Sequence, residues 1–201
     1  MEAMEAIFTR RSTRKMKPDP LPRALIERIL EAGRAAPSGG NNQTTHLIVI
    51  ERAEALRALA GLVEGAFAAM EDAPGLYGSL RHSIRASKRG GYVFHYNAPV
   101  LIVVANRADY GNAMADSACA LENMMIAANA LDIGSCWINQ LHWLTDHAPV
   151  REYLISLGLG PEETVTGGLI LGWPDTPDGK PARLPLPRTG NPVTWIKQPG
   201  K

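Results

Sequence analysis

Three textures alternate along the chain: apolar residues at helical spacing, short β-branched runs, and proline- and glycine-rich stretches without period. Leu25, Ile26, Ile29, Leu30 and Gly33 recur at helical intervals, which predicts a helix over about 22–36. Pro22 can open it, since a first-turn N–H has no intrahelical partner to lose, and Pro37 ends it. Leu56, Leu59, Leu62 and Val63 predict a helix over 53–70, and a short one is expected over 2–10 with Ala3, Ile7 and Phe8 on one side. HLIVIE (46–51), APVLIVVAN (98–106), SCWI (135–138) and TVTGGLILGWP (164–174) read as strands, the first of them buried. Residues 112–131 form the strongest helix, apolar on nearly every face, as a central helix is. Residues 141–157 are expected to be helical with a break at Pro149, and PVTWI (192–196) reads as a last short strand. Between 72 and 96, Gly75, Gly78, Gly90 and Gly91 interrupt aromatic and basic residues, which predicts a helical excursion with mobile ends.

These elements follow one another without a regular βαβ repeat, so the expected fold class is α+β, one mixed β-sheet packed between helices. A length of 201 residues suits a single domain, and no repeat or linker divides residues 1–201. The Pro-rich tail from about 175 to 201 is longer than a compact monomer needs, which predicts that it reaches over a partner subunit.

Composition narrows the function by exclusion. A net charge of +1 produces no global field toward nucleic acid or an anionic membrane, so neither partner is expected and any important basic residue acts locally. No stretch approaches the roughly 18 uninterrupted apolar residues of a membrane helix. The opening MEAMEAIFTRR lacks the apolar run of a signal peptide, and a cytoplasmic location is expected. Cys119 and Cys136 lie in apolar sequence and read as buried thiols of a reducing compartment, not as a disulfide framework.

Two local clusters could carry chemistry. Arg10-Arg11-Ser12, with Arg14 close behind, gathers three guanidiniums and a hydroxyl, which suits a phosphate and its attached polyol. The same residues could form a solvated basic turn. In Pro37-Ser38-Gly39-Gly40-Asn41-Asn42-Gln43, two glycines permit positive φ and close backbone approach to a flat ligand, while Ser38, Asn41 and Gln43 supply donors and acceptors. This stretch could equally be a helix-stop loop whose polar side chains satisfy only its own backbone.

Taken together and in order, these blocks resemble the nitroreductase family of FMN enzymes, in its compact subgroup. The likeness runs through RRSxR, APSxxNxQ, APVLIVVAN, the helix from Asp116 into the strand ending at Ile138, Gly167-Gly-Leu-Ile-Leu-Gly-Trp-Pro, and Arg188 followed by Val193-Thr-Trp-Ile. It covers most of the chain and is weak only at about 61–95; Thr44-Thr45 also stands where the family often has Pro-Trp. The resemblance implies an intertwined homodimer with non-covalent FMN at the subunit interface. NADH or NADPH would be the co-substrate, and a small nitroaromatic or quinone the acceptor, in ping-pong turnover. Arg10, Arg11 and Ser12 would hold the phosphate and ribityl chain, Arg14 the O2/N1 side of the ring, and Arg188 the phosphate again. Pro37, Ser38, Gly39 and Asn41 would come from the partner subunit. Asn139 and Gln140 would offer backbone N–H groups to the N5/O4 region. Relatives of the same fold act as dehalogenases or desaturases, and a non-catalytic flavin-binding protein is the alternative outside enzymes.

Other signals are weak. His46, His82, His95, His142 and His147 lack metal spacing, Gly111-Asn-Ala-Met has no GxGxxG, and Ser12 and Ser38 have neither a GxSxG context nor a nearby His and Asp. No acid or base stands out as catalytic, and hydride chemistry on a flavin needs none. Trp137, Trp143, Tyr153 and Trp173 read as core. Tyr77, Tyr92, Phe94 and Tyr96, in the irregular segment, could form a substrate lid or could be packing.

Overall fold

Leucine, isoleucine and valine at 100–104 alternate between two faces of one strand, and both faces are covered. In the computed structural model, which describes residues 1–196, this strand is β2 (Val100–Arg107), buried at every position but Arg107. Around it the chain forms α1 (Ala3–Thr9), α2 (Arg23–Arg34), β1 (His46–Ile50), α3 (Ala53–Ala69) and α4 (Gly78–Arg89), then α5 (Ala113–Ala130), β3 (Gly134–Ile138), α6 (Gln140–Trp143), α7 (Ala148–Ser156) and β4 (Glu163–Gly172). The strands run in the order β1-β2-β4-β3, and every neighbouring pair is antiparallel. The expected mixed character is therefore confined, among the described residues, to one isolated parallel bridge between Ser12 and Ser135.

The period-2 geometry of strands sorts the apolar residues into two cores. Leu101, Val103, Ala105, Ile138, Val165 and Ile170 face Leu59, Val63 and Phe67 of α3, Ile84 of α4, Leu141 of α6 and Leu154 of α7. Val100, Ile102, Val104, Leu169 and Leu171 face Ile26 and Ile29 of α2 and Leu121, Met124, Met125 and Ala128 of α5. Helices thus cover both faces of the sheet, as an α+β chain with long apolar strands requires. Helices α2 and α5 cross closely at Gly33, where a Cβ would stand 2.8 Å from Met124 Cγ.

Several expectations change. Strand β1 is an edge strand, half-buried at His46, Leu47 and Val49, because among the described residues only β2 pairs with it. In α1 the buried residue is Ala6, whereas Ile7 and Phe8 are exposed. Pro149 opens α7 within its first turn, and the helical break falls before it. Residues 192–196 form no strand with their own chain, and Val193, Trp195 and Ile196 lie exposed. The last stretch of the expected tail, 197–201, lies outside the described residues. Helix α5 is central but not covered all round: Met114, Ala115 and Cys119 are exposed, and Ala118 and Ile126 are half-buried. Cys119 is therefore not the buried thiol expected, whereas Cys136 is buried, and both are free.

Candidate functional site

The N-terminal basic cluster is fixed in place by backbone pairing. Asn129, near the end of α5, donates its side-chain N–H to Ala6 O and Thr9 Oγ1, both at 3.0 Å, which docks α1. The chain then pairs with the outer edge of β3, Thr13 N–H donating to Ser135 O at 2.8 Å, and next with the segment that follows β4, Lys17 N–H donating to Trp173 O at 2.8 Å. This pairing holds Arg10, Arg11, Ser12 and Arg14 around one pocket of about 280 Å³. Arg188 and Leu186 complete it, because the tail folds back onto its own chain. Arg183 donates to Asn129 O (2.6 Å) and Asp132 Oδ1 (2.5 Å), and Arg11 donates to Leu184 O (2.6 Å). Arg10 Nε lies 3.3 Å from Glu122 Oε1, and among the described residues this is the pocket's one ion pair. Four guanidiniums facing one carboxylate leave a local positive excess in a chain of near-neutral charge.

Arg14 is shared with a second cleft, of about 250 Å³, lined by Tyr77, Ser79, Tyr96, Trp143 and residues 136–140. The two hollows therefore adjoin along β3. The Arg14 guanidinium carbon stands 6.0 Å from the centre of the Tyr96 ring, in cation–π range. Tyr96 and Asn97 have φ of 53° and 58°, an uncommon left-handed pair of non-glycine residues that turns Tyr96 toward this cleft. Trp137 Nε1–H donates to Asn139 Oδ1 at 2.6 Å, fixing the Asn139 side chain. Burial pushes the Cys136 thiol up from its ordinary value, and the charges of Arg14 and Arg10 and a bond with Ser12 partly oppose the rise.

Beneath the cleft lies a polar group that no local motif announces. Gln140 Nε2–H donates to Tyr92 Oη at 2.9 Å, and Tyr92 Oη and Ser83 Oγ are 2.9 Å apart. Burial raises the Tyr92 hydroxyl above its usual value despite these bonds. Of the four aromatics that could have formed a lid, Phe94 is fully buried core and Tyr92 belongs to this network. Tyr77 and Tyr96 line the cleft, and Tyr77 meets Trp143 edge-on at 6.1 Å.

The second cluster is not in this place within one chain. The Gly39 N–H donates to both oxygens of Asp116, at 3.1 and 3.2 Å, and Tyr110 Oη–H faces Gly39 O (3.1 Å) and Asp116 Oδ2 (2.9 Å). A Cβ on Gly39 would lie 2.3 Å from Asn112 Nδ2 and 2.6 Å from Tyr110 Oη, so this glycine serves close approach to the chain's own Asn112 and Tyr110, while Gly40 (φ 59°) serves the turn. Ser38 Oγ accepts the Gln43 N–H and Asn41 Oδ1 accepts Gln43 Nε2–H. Pro37 and Ser38 line a separate hollow of about 330 Å³ with Arg34 and Asp116. Asp116 opens α5 while Asn129 closes it, so the two clusters are anchored roughly 20 Å apart along the helix. The chain thus brings Arg10, Arg11, Ser12, Arg14 and Arg188 together, sets Asn139 and Gln140 beside them, and leaves Pro37, Ser38, Gly39 and Asn41 apart. Among the described residues no group of three or more His, Cys, Asp or Glu could hold a metal, and no helix is long and apolar enough to cross a membrane.

Comparison with known proteins identifies the family and the fold. The model of the "Nitroreductase family" matches residues 7–173. A protein of Archaeoglobus fulgidus named "Putative NADH dehydrogenase/NAD(P)H nitroreductase" is 30% identical over 179 residues, covering 86% of each chain. The Escherichia coli relative YdjA, named as an NAD(P)H nitroreductase of the same standing, is 28% identical over 194 residues, 93% of this chain and 96% of its own. Among solved structures, a nitroreductase with bound FMN from Bacteroides fragilis superposes with a TM-score of 0.85 at 35% identity, covering 98% of this chain and all of that one (100%). A second, from Desulfitobacterium hafniense and also with bound FMN, has a TM-score of 0.79 at 26% identity, with 98% and 100% covered.

Proposed function

This chain belongs to the nitroreductase family, and from that premise we propose that it is an FMN-dependent oxidoreductase taking reducing equivalents from NADH or NADPH. The acceptor is a small molecule such as a nitroaromatic or a quinone. The observation that carries this reading is the continuity of two sites through Arg14: an arginine-rich pocket and a ring-sized cleft on β3. Arg10, Arg11, Arg188 and Ser12 suit one terminal phosphate, whose charge the local positive excess attracts. Arg14 suits the electron-rich edge of a flat ring lying against residues 136–140. Bound there, FMN would accept and return a hydride, and the protein would bind, aim and tune it. The cleft bordered by Tyr77, Tyr96 and Trp143 would shield the reacting face from water, with donor and acceptor visiting it in turn. Steady-state oxidation of NADH or NADPH with a quinone is expected to give parallel double-reciprocal lines. Intersecting lines would contradict alternating occupancy, and no turnover with either nucleotide would contradict the enzyme assignment.

The same reading makes the molecule a homodimer, in which the tail that begins at about 175, held to its own chain at Arg183, Leu184 and Arg188, reaches over the partner beyond them. Two observations support it: the exposed or half-buried apolar residues Met114, Ala115, Ala118, Cys119 and Ile126 of α5, and the distance between the two clusters within one chain. Pro37, Ser38, Gly39 and Asn41 would then meet the partner's flavin, with Asp116 and Tyr110 holding their loop. Arg10→Ala and Asn41→Ala proteins, dissociated and reassembled together, should partly recover flavin binding. A mixed dimer carries both lesions in one site and none in the other, whereas each parent dimer carries one lesion per site. No recovery despite demonstrated subunit exchange would mean that each site is built from one chain. We place the reaction in the cytoplasm, consistent with two free cysteines.

A further inference from the structure

Arg14 links the arginine pocket to the cleft, yet its side chain is exposed. Its neighbours in the cluster have polar partners of their own: Arg10 pairs with Glu122, and Arg11 donates to Leu184 O. Among the described residues Arg14 has neither an ion pair nor a hydrogen bond. Its directional contact is with the Tyr96 ring, whose centre lies 6.0 Å from the guanidinium carbon. An exposed arginine left to itself samples many rotamers, so a charge that acts at one place needs something to hold it there.

Tyr96 is built as a fixed platform. On either side of it Phe94, His95 and Ala98 are buried, and Phe94 and His95 meet edge-on at 5.3 Å. Two turns lock the backbone between these anchors: Tyr96 N–H donates to Val93 O and Ala98 N–H to His95 O, both at 3.0 Å. The left-handed φ values of Tyr96 (53°) and Asn97 (58°) are sparsely populated for a bulky residue, and the anchors on both sides enforce them. Backbone strain held this firmly at the rim of a cleft is a means of fixing a side chain in advance, and here the side chain is the half-buried Tyr96.

We propose that Tyr96 is a positioning residue for Arg14: its ring holds the guanidinium where the arginine pocket meets the cleft, so that the charge favours reduced over oxidised flavin. This rests on the FMN reading above and on the place of Arg14 beside the electron-rich edge of the flavin. Tyr96 acts through Arg14 and not on the flavin itself. The attraction of a cation needs the face of an aromatic ring and not its hydroxyl, so phenylalanine keeps this role and a side chain without a ring loses it.

The test is the reduction potential of the bound flavin, measured against a reference dye without oxygen. The potential reports the ratio of affinities for the two forms, so a merely structural weakening of both forms leaves it in place. Tyr96→Asn removes the ring and suits the left-handed backbone; it should lose about fivefold in preference for reduced over oxidised flavin, a fall of about 20 mV. Tyr96→Leu should fall likewise, and should either variant fail to load flavin, the other decides. Tyr96→Phe should keep the wild-type potential within about 10 mV. In an Arg14→Met background, removing the ring should change nothing further, because no charge is left to position. An unchanged potential in flavin-loaded Tyr96→Asn or Tyr96→Leu overturns the inference and leaves the cofactor reading intact. The same holds for a full fall in Tyr96→Phe, or for one that persists without Arg14. A wild-type protein that takes up no flavin overturns both.

Discussion

Arg188→Ala is expected to weaken FMN binding about 10- to 100-fold while hardly changing the affinity for riboflavin. Arg188 lies in a tail without regular structure, yet it meets Arg10, Arg11 and Ser12 at one pocket. Among the described residues no carboxylate pairs with it, so neutralising a neighbouring acid is not its use. If it formed only an exposed surface contact, its loss would cost about 0–1 kcal/mol and would not discriminate between flavins. A charge-assisted bond to a phosphate is worth about 1.5–3 kcal/mol, and only the phosphorylated ligand can make it. Fluorescence titrations of both flavins on the same preparation measure the difference. Equal losses for FMN and riboflavin would remove Arg188 from the phosphate site.

Arg14→Met should lower the reduction potential of the bound flavin by roughly 40–65 mV, the equivalent of about 2–3 kcal/mol for a two-electron couple. Arg14 borders both the arginine pocket and the cleft, and its guanidinium lies over the Tyr96 ring. Its charge already reaches the cleft floor, because it opposes the burial-driven rise of the Cys136 thiol. Reduced flavin carries negative charge around N1 and O2, and the oxidised form does not. A guanidinium near that edge therefore binds the reduced form better, and methionine keeps most of the side chain's length without the charge. Equilibration against a reference dye gives the shift once the spectrum has confirmed that FMN is bound. A potential unchanged within about 10 mV would move Arg14 away from the ring.

The parts of this molecule that could be read in advance are those whose physics is local. Strands β2 and β4 and helix α5 are long apolar runs, and their burial follows whatever covers them. The Arg10–Arg14 cluster is five residues of one segment, and its edge-strand pairing with β3 keeps it together. Arg188, in contrast, entered through family resemblance, since nothing in its own neighbourhood points to a phosphate. The illegible features join distant segments. Gln140 and Tyr92 are 48 residues apart, and Gly39 and Asp116 are 77 apart. Each residue alone looks ordinary, and the burial of Asp116 in the first turn of α5 emerges only in the folded chain. Edge position also left no mark, because a half-buried edge strand such as β1 carries the same β-branched run as a central one. The Val193–Ile196 run has strand-like residues, but pairing needs a neighbour, and among the described residues it has none.

The measurement that bears most directly on the account is an anaerobic absorption spectrum of the purified protein before and after NADH and NADPH, with mass analysis of the released flavin. A yellow protein whose bound FMN bleaches with at least one nucleotide, and recovers its colour when a quinone is added, is the predicted result. Released FAD, or a flavin that neither nucleotide reduces, would contradict it.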